Sequence, residues 1–391
     1  MSSLNILTRH NRMINNGLFA LALLMALCFN NLATANILPG APSIGAKSYL
    51  LMDAKTGEVI VSRDPDTPMP PASISKLMTT YLVFEALENG SISMDDEVLV
   101  SEHAWRQGGS RMFIEVGEYV SVHDLIYGMI VQSGNDAAVA LAEYVGGNEE
   151  TFVLMMNAKA QELGLTNSRF QNPTGWPAED HYMSARDIAE LHRDLIKRFP
   201  ELYEIFRVRS FTYNNITQNN RERLLFRHDW IDGGKTGYTS EAGYCLVTSG
   251  KRDGMRLIVV VLNTDSDQAR NSQAEALLNY GFRFFENVTI RNAGETLSEP
   301  RVFKGEYDHT PVGLSEDLTV LVPKSQRDNI NVTLHLDSGL EAPITTGQVM
   351  GEIRVRLGDE TIATVPVQAL ADNPEGGLVK RAVDSVWMWF Q

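Results

Sequence analysis

Ser73-Ile74-Ser75-Lys76 sets a hydroxyl three residues before an amine, at the opening of a helical pattern carried by Leu77, Met78, Tyr81, Leu82 and Phe84. Positions i and i+3 are neighbours on a helix, so Ser73 and Lys76 share a face. A serine hydroxyl is a poor nucleophile until a base takes its proton. A lysine can be that base when burial and a nearby cation depress its pKa. The pair alone decides little, because composition supplies about one or two Ser-x-x-Lys matches in a chain of this size. A solvent-facing pair is the plain alternative.

Two later motifs give the pair its meaning. Ser133-Gly134-Asn135 follows the apolar run 125–131. Its short polar side chains are able to relay a proton and to hydrogen-bond a substrate amide; alone, Ser133 reads first as a helix cap. Lys235-Thr236-Gly237 lies between two strand-like runs. Gly237 there lets a strand edge approach a ligand backbone, and Lys235 and Thr236 suit a carboxylate. Each fragment has a decoy: Ser3-Leu4-Asn5 precedes the serine motif, and Lys55-Thr56-Gly57 sits in a hairpin turn. Order and flanks separate the sets.

Outward from the motifs, residues 48–62 read as a hairpin and prolines 65, 68, 70 and 71 as a loop. Residues 122–163 and 184–198 are helix-rich. Strands follow from 208 to 263, and a helix is expected over 266–286. Residues 287–372 then show short alternating runs such as Leu318 to Val322 and Ile330 to Leu336, the pattern of a small all-β domain. In the tail, Leu378, Ala382 and Val386 recur every four residues, as do Val379, Val383 and Trp387, opposite Lys380, Arg381, Asp384 and Ser385. The expected amphipathic helix spans 373–391, suited to a membrane surface or to the protein's own core.

The N-terminus carries Arg9 and Arg12, an apolar run from Leu18 to Phe29, and Ala33-Thr34-Ala35. This predicts an export signal over 1–35, with an uncleaved anchor as the alternative. Export would remove Cys28 and leave Cys245 without an intramolecular partner; its apolar neighbours mark it as a buried small hydrophobe. The 391 residues carry a formal charge of −15, and loss of 1–35 takes it to −17, which argues against a nucleic-acid partner.

The combined motifs resemble those of the low-molecular-mass penicillin-binding proteins, the serine-type D-alanyl-D-alanine carboxypeptidases. The resemblance extends through Asp53-Ala54-Lys55-Thr56-Gly57, Pro71 to Met78, Gln132 to Ala137, Ser184-Ala185-Arg186-Asp187, Asp232 to Thr239, Ala242-Gly243-Tyr244 and Gly281 to Glu286. It implies an α/β (α+β) transpeptidase-like catalytic domain over 36–286, with an antiparallel sheet and a helical cluster. A β-rich domain over 287–372 and a membrane-anchor helix over 373–391 would follow.

By the same resemblance Ser73 is the acylated nucleophile, Lys76 its base and Ser133 a member of the proton relay. Asn135, Lys235, Thr236, Gly237 and Tyr238 bind substrate. The oxyanion hole is formed by the N–H groups of Ser73 and Tyr238. Arg221 matches an arginine that assists carboxylate binding, or is a surface charge. Gly234, Tyr238 and Cys245 depart from the family's usual Leu or Met, His or Thr, and Asn.

The implied partners are peptidoglycan stem peptides ending in D-Ala-D-Ala and β-lactams as covalent inhibitors, with no metal or cofactor. The implied location is the periplasmic face of the cytoplasmic membrane. A DD-endopeptidase, a serine β-lactamase and a non-catalytic wall-binding relic remain alternatives. Against the β-lactamase, Leu165 to Asn172 offers no carboxylate where a class A enzyme keeps its deacylating Glu.

Overall fold

The run Leu257 to Leu262 is apolar without alternation, and every side chain in it is buried. That is the mark of a strand covered on both faces. The computed structural model describes residues 38–388. It places this run in the middle of a five-stranded sheet. The strands are β1 (Ser48–Asp53), β2 (Val59–Arg63), β3 (Ile231–Thr239), β4 (Gly243–Arg252) and β5 (Met255–Thr264), in the order β2-β1-β5-β4-β3, all antiparallel. The expected export signal over 1–35 lies outside the described residues, as do the last three residues of the tail.

Ile258, Val260 and Leu262 face a helical cluster of α1 (Lys76–Glu88), α2 (Val122–Val131), α3 (Asn135–Gly146), α4 (Glu149–Glu162) and α5 (Ala185–Arg198). Leu257 points to the other face, where α6 (Asp267–Phe284) covers the sheet. A Cβ on Gly281 would lie 2.4 Å from Leu257 Cδ1, so that helix approaches closely because position 281 has no side chain. Burying each such aliphatic side chain is worth about 1.5–3 kcal/mol. Ser101, Ser121, Asn148, Ser184 and Ser266 each cap a helix N-terminus by accepting a backbone N–H.

Within residues 36–286, two helix boundaries differ from the sequence expectation. Ser73 belongs to a 3₁₀ turn, Ala72–Ser75, and the α-helix begins at Lys76. Ala72, at the start of this turn, holds φ +50°. The helix expected to reach 286 stops at Phe284, because Phe285–Arg291 (β6) pairs with Leu318–Pro323 further along.

Strand β3 lies at one edge of the large sheet and carries Lys235-Thr236-Gly237. A bulge falls between Ile231 and Gly233. At Gly234 a Cβ would stand 2.0 Å from the Val247 carbonyl oxygen. The atoms met are backbone of the neighbouring strand β4, so this position has no room for a side chain.

The C-terminal β region holds a second core, with Val302, Val320, Met350, Ile353 and Val367 buried. Its strands are β7 (Val312–Gly313), β8 (Leu318–Pro323), β9 (Ile330–Leu336), β10 (Val349–Leu357) and β11 (Glu360–Ala369). They form the sheet β7-β11-β10-β9 and the β6–β8 pair. The tail helix α7 is shorter than expected, Leu378–Trp387. Residues before it run extended against residues 304–307, with Glu306 N–H donating to the Pro374 carbonyl.

The buried side of α7 is polar. Asp384 accepts from Lys304 N–H at 2.7 Å and from Arg301 Nη2 at 3.3 Å. Leu378 and Val379 are 82% and 81% exposed, and Val383, Val386 and Trp387 are exposed with them. No helix among the described residues is long and apolar enough to cross a membrane.

Candidate active site

The site forms where the 3₁₀ turn and α1, the loop into α3, and edge strand β3 converge. A cleft of about 340 Å³ is lined by Ser73, Ser133, Asn135, Arg221, Thr236, Gly237 and Tyr238, with Lys76 and Lys235 buried behind it. The sequence-predicted residues therefore meet at one place. The decoy Lys55 lines a separate, larger cleft of about 630 Å³ that contains none of them.

Lys76 is wholly buried. Its Nζ lies 3.0 Å from Ser73 Oγ, 2.6 Å from Asn135 Oδ1 and 2.7 Å from the Thr174 carbonyl oxygen. Burial pulls its pKa down to about 7, against the opposing pull of Asp136. Lys235 Nζ donates to Ser133 Oγ at 2.7 Å and to its neighbour's carbonyl, Thr236 O, at 3.2 Å. Burial, then the charges of Lys76, Arg221 and Arg270, drive its pKa well below the ordinary lysine value; Glu222 opposes them.

Ser133 is held at φ +66°, a left-handed conformation costing about 1–2 kcal/mol for a residue with a Cβ. The chain around it is pinned by Gly134 N–H to Gly128 O at 3.1 Å and Asn135 N–H to Ser110 O at 2.7 Å. Asn135 donates its Nδ2 to Gly108 O at 2.7 Å, leaving Oδ1 for Lys76. The buried Asp136 carboxylate accepts from the N–H groups of Met112, Phe113 and Ala137 and fixes the start of α3.

Strand β3 packs so closely on the serine turn that a Cβ on Gly237 would meet Pro71 O at 2.8 Å. Arg221 lines the cleft and donates its Nε to Gln132 Oε1 at 3.3 Å. Cys245 is free and buried, its thiol pushed up to about 11 by burial, which agrees with a packing role.

Sequence reading missed Arg270, Thr174, Trp176 and Ser110, all of which line the cleft. Arg270 donates to Gly237 O at 3.0 Å and Cys245 O at 3.3 Å from inside α6. Thr174 contributes a backbone carbonyl, to which side-chain identity is blind.

A family model described as D-alanyl-D-alanine carboxypeptidase matches residues 35–266. The chain belongs to the D-alanyl-D-alanine carboxypeptidase family. A second model, the penicillin-binding protein 5 C-terminal domain, matches residues 285–375. Among carboxypeptidases of this family, DacC of Escherichia coli is 41% identical over 358 residues, 90% of each chain. The solved penicillin-binding protein 5 of Haemophilus influenzae superposes with a TM-score of 0.83 at 39% identity, covering 86% of this chain and 100% of that one. Penicillin-binding protein D2 of Listeria monocytogenes, in its ampicillin-bound form, gives a TM-score of 0.58 at 30% identity over 62% of this chain and all of that one.

Proposed function

We propose that the chain is a serine-type D-alanyl-D-alanine carboxypeptidase of the cell wall, which removes the terminal D-alanine from peptidoglycan stem peptides through an acyl-enzyme on Ser73. The observation that carries the reading is the setting of Lys76. A neutral amine has two N–H donors and one lone pair. Asn135 Oδ1 and Thr174 O are carbonyl oxygens that only accept, so they take both hydrogens and leave the lone pair facing Ser73 Oγ.

In the reaction Ser73 Oγ attacks the carbonyl of the penultimate D-Ala and its proton passes to Lys76 Nζ. Negative charge on the attacked oxygen is met by the N–H groups of Ser73 and Tyr238. Ser133, bonded to Lys235, carries a proton to the departing amine, the amide C–N bond breaks, and D-Ala leaves. Water then adds to the ester and restores the serine. Lys235, Thr236 and Arg221 receive the terminal carboxylate, with Asn135 and Gly237 aligning the peptide. An arriving carboxylate favours the ammonium of Lys235, and that charge in turn disfavours one on Lys76. The carboxylate's own charge opposes that effect, so the two contributions offset each other at Lys76.

The test uses the exported chain with a peptide ending in D-Ala-D-Ala and with penicillin. The expected results are release of one D-Ala per peptide and a penicillin adduct mapped by mass spectrometry to the tryptic peptide holding Ser73. No release, or an adduct elsewhere, would sink the assignment. The same cleft suits cleavage of crosslinks, but the E. coli D-alanyl-D-alanine endopeptidase is only 32% identical, over 63% of this chain. Slow loss of the adduct separates the carboxypeptidase from a β-lactamase.

In this reading residues 1–35 direct export, 36–286 form the catalytic domain and 287–372 the β domain, and 373–391 hold the enzyme at the periplasmic face of the cytoplasmic membrane. The exposed Leu378, Val379, Val383, Val386 and Trp387 beside a docked, polar Asp384 face support it: the apolar side of α7 is turned away from the protein. Deleting 377–391 is expected to shift the protein from the pelleted to the soluble fraction in vesicle sedimentation, with D-Ala release unchanged. Equal sedimentation of both forms counts against the anchor.

A further inference from the structure

The loop 172–176 touches the nucleophile turn and the first turn of α1, and its shape is set largely by one side chain. Asn172 Oδ1 accepts from Thr174 N–H at 3.2 Å, Thr174 Oγ1 at 2.8 Å, Gly175 N–H at 2.9 Å and Trp176 N–H at 3.0 Å. Its Nδ2 donates to Trp176 O at 2.9 Å and lies 3.3 Å from His181 Nδ1. The loop so folded presents Thr174 O to Lys76 and Pro173 O to Thr79 Oγ1, the latter at 2.7 Å.

His181 closes the ring. Its Nε2 lies 2.8 Å from Ser75 Oγ, and both residues are buried. Asn172 Oδ1 is fully used as an acceptor, so Nδ2 faces the imidazole and makes Nδ1 the acceptor. The ring proton then sits on Nε2 and is donated to Ser75 Oγ. Burial and the neighbouring Lys76 hold this imidazole neutral, with its pKa pushed down to about 4.

We infer that Asn172 is a positioning residue for acylation, acting with His181 to hold the Thr174 carbonyl against Lys76 so that the amine's lone pair stays on Ser73. The inference rests on the carboxypeptidase reading above. Asn172 does not touch the reacting atoms; it fixes one of the two acceptors that orient the base. The same side chain sets Trp176, which stands 54% exposed on the cleft rim.

The experiment measures the single-turnover rate of penicillin acylation against pH, normalised to active-site titre, with kcat and KM for a D-Ala-D-Ala peptide. Asn172→Ala is expected to lower acylation and kcat by about tenfold to a hundredfold, with KM changed by less than about threefold. A merely structural loss would lower the titre and the melting temperature but leave the rate per titrated site intact.

Asn172→Asp guards against misfolding, because its oxygen still serves the four donors. It gives up the Nδ2 bonds and adds a negative charge beside the loop. Of the groups around Lys76, Asp136 of α3 already favours its ammonium, while the charge of Lys76 itself lowers the pKa of Lys235 on β3 and of His181. A further carboxylate favours the ammonium, so the acid limb should move up by about 0.5 pH unit or more. Wild-type rates and an unmoved acid limb in both variants would overturn the inference while leaving the carboxypeptidase reading standing. Failure of the unaltered chain to acylate at all would remove that reading and the inference with it.

Discussion

Lys76→Met is expected to slow acylation of Ser73 by penicillin by about 10²–10⁴-fold, the range a positioned general base contributes. Methionine matches the length of the lysine stem and keeps the buried volume filled, but has no proton acceptor facing Ser73 Oγ. Its cost in stability has two opposing parts. Asn135 Oδ1 and Thr174 O lose their shared donor, at about 1–3 kcal/mol for each acceptor left dry. The burden of burying an amine vanishes at the same time, so the variant should remain folded.

The pH profile of the unaltered enzyme carries the same argument. As the proposed base, Lys76 acts only when neutral, and burial pulls its pKa down to about 7. Acylation should therefore climb as pH rises through that value and fall away below it, whereas an ordinary lysine would place the rise near ~10. Stopped-flow acylation across this range checks both statements. A rise centred in the usual lysine range, or a Met variant within threefold of wild type, would contradict the assigned base.

How far the sequence reached depended on the kind of signal each feature leaves. The strand over Leu257 to Leu262 was legible as a strand from its apolar, β-branched run, but its place in the middle of the sheet was not. The three motifs were legible because their order is improbable, although Lys55-Thr56-Gly57 shows that composition alone would have picked two sites. The 3₁₀ turn at Ser73 left no trace, since i and i+3 are close in both helix types. Thr174 entered through its carbonyl, which every residue possesses. Arg270 lay on a helix whose pattern marks faces without naming what lies across them. Gly175 was likewise silent, because its role depends on which strand of chain passes over it.

Gly175→Ala should be nearly as damaging as loss of the base, and for a reason that lies wholly in the backbone. Gly175 adopts φ +81°, where a side chain costs about 1–2 kcal/mol. A Cβ there would stand 1.7 Å from Ala72 O, 2.3 Å from Ala72 C and 3.0 Å from Ser73 N. All three atoms are backbone, so no rotamer change relieves the overlap. Either the loop lifts, withdrawing Thr174 O from Lys76, or the Ala72–Ser73 peptide shifts and carries the nucleophile and its N–H with it. A displacement of about 1 Å at reacting atoms is enough to cost about a hundredfold. Acylation per folded molecule should fall by about that much, and the melting temperature should drop as well. Gly90→Ala is the matched control. Gly90 has φ +73° and nothing within 4 Å of the place a Cβ would take, so it bears the conformational cost without the collision. That variant should melt lower by a similar conformational increment yet acylate at the wild-type rate. If the two alanine variants acylate alike, close approach of the loop to the serine turn is not what holds the site in register.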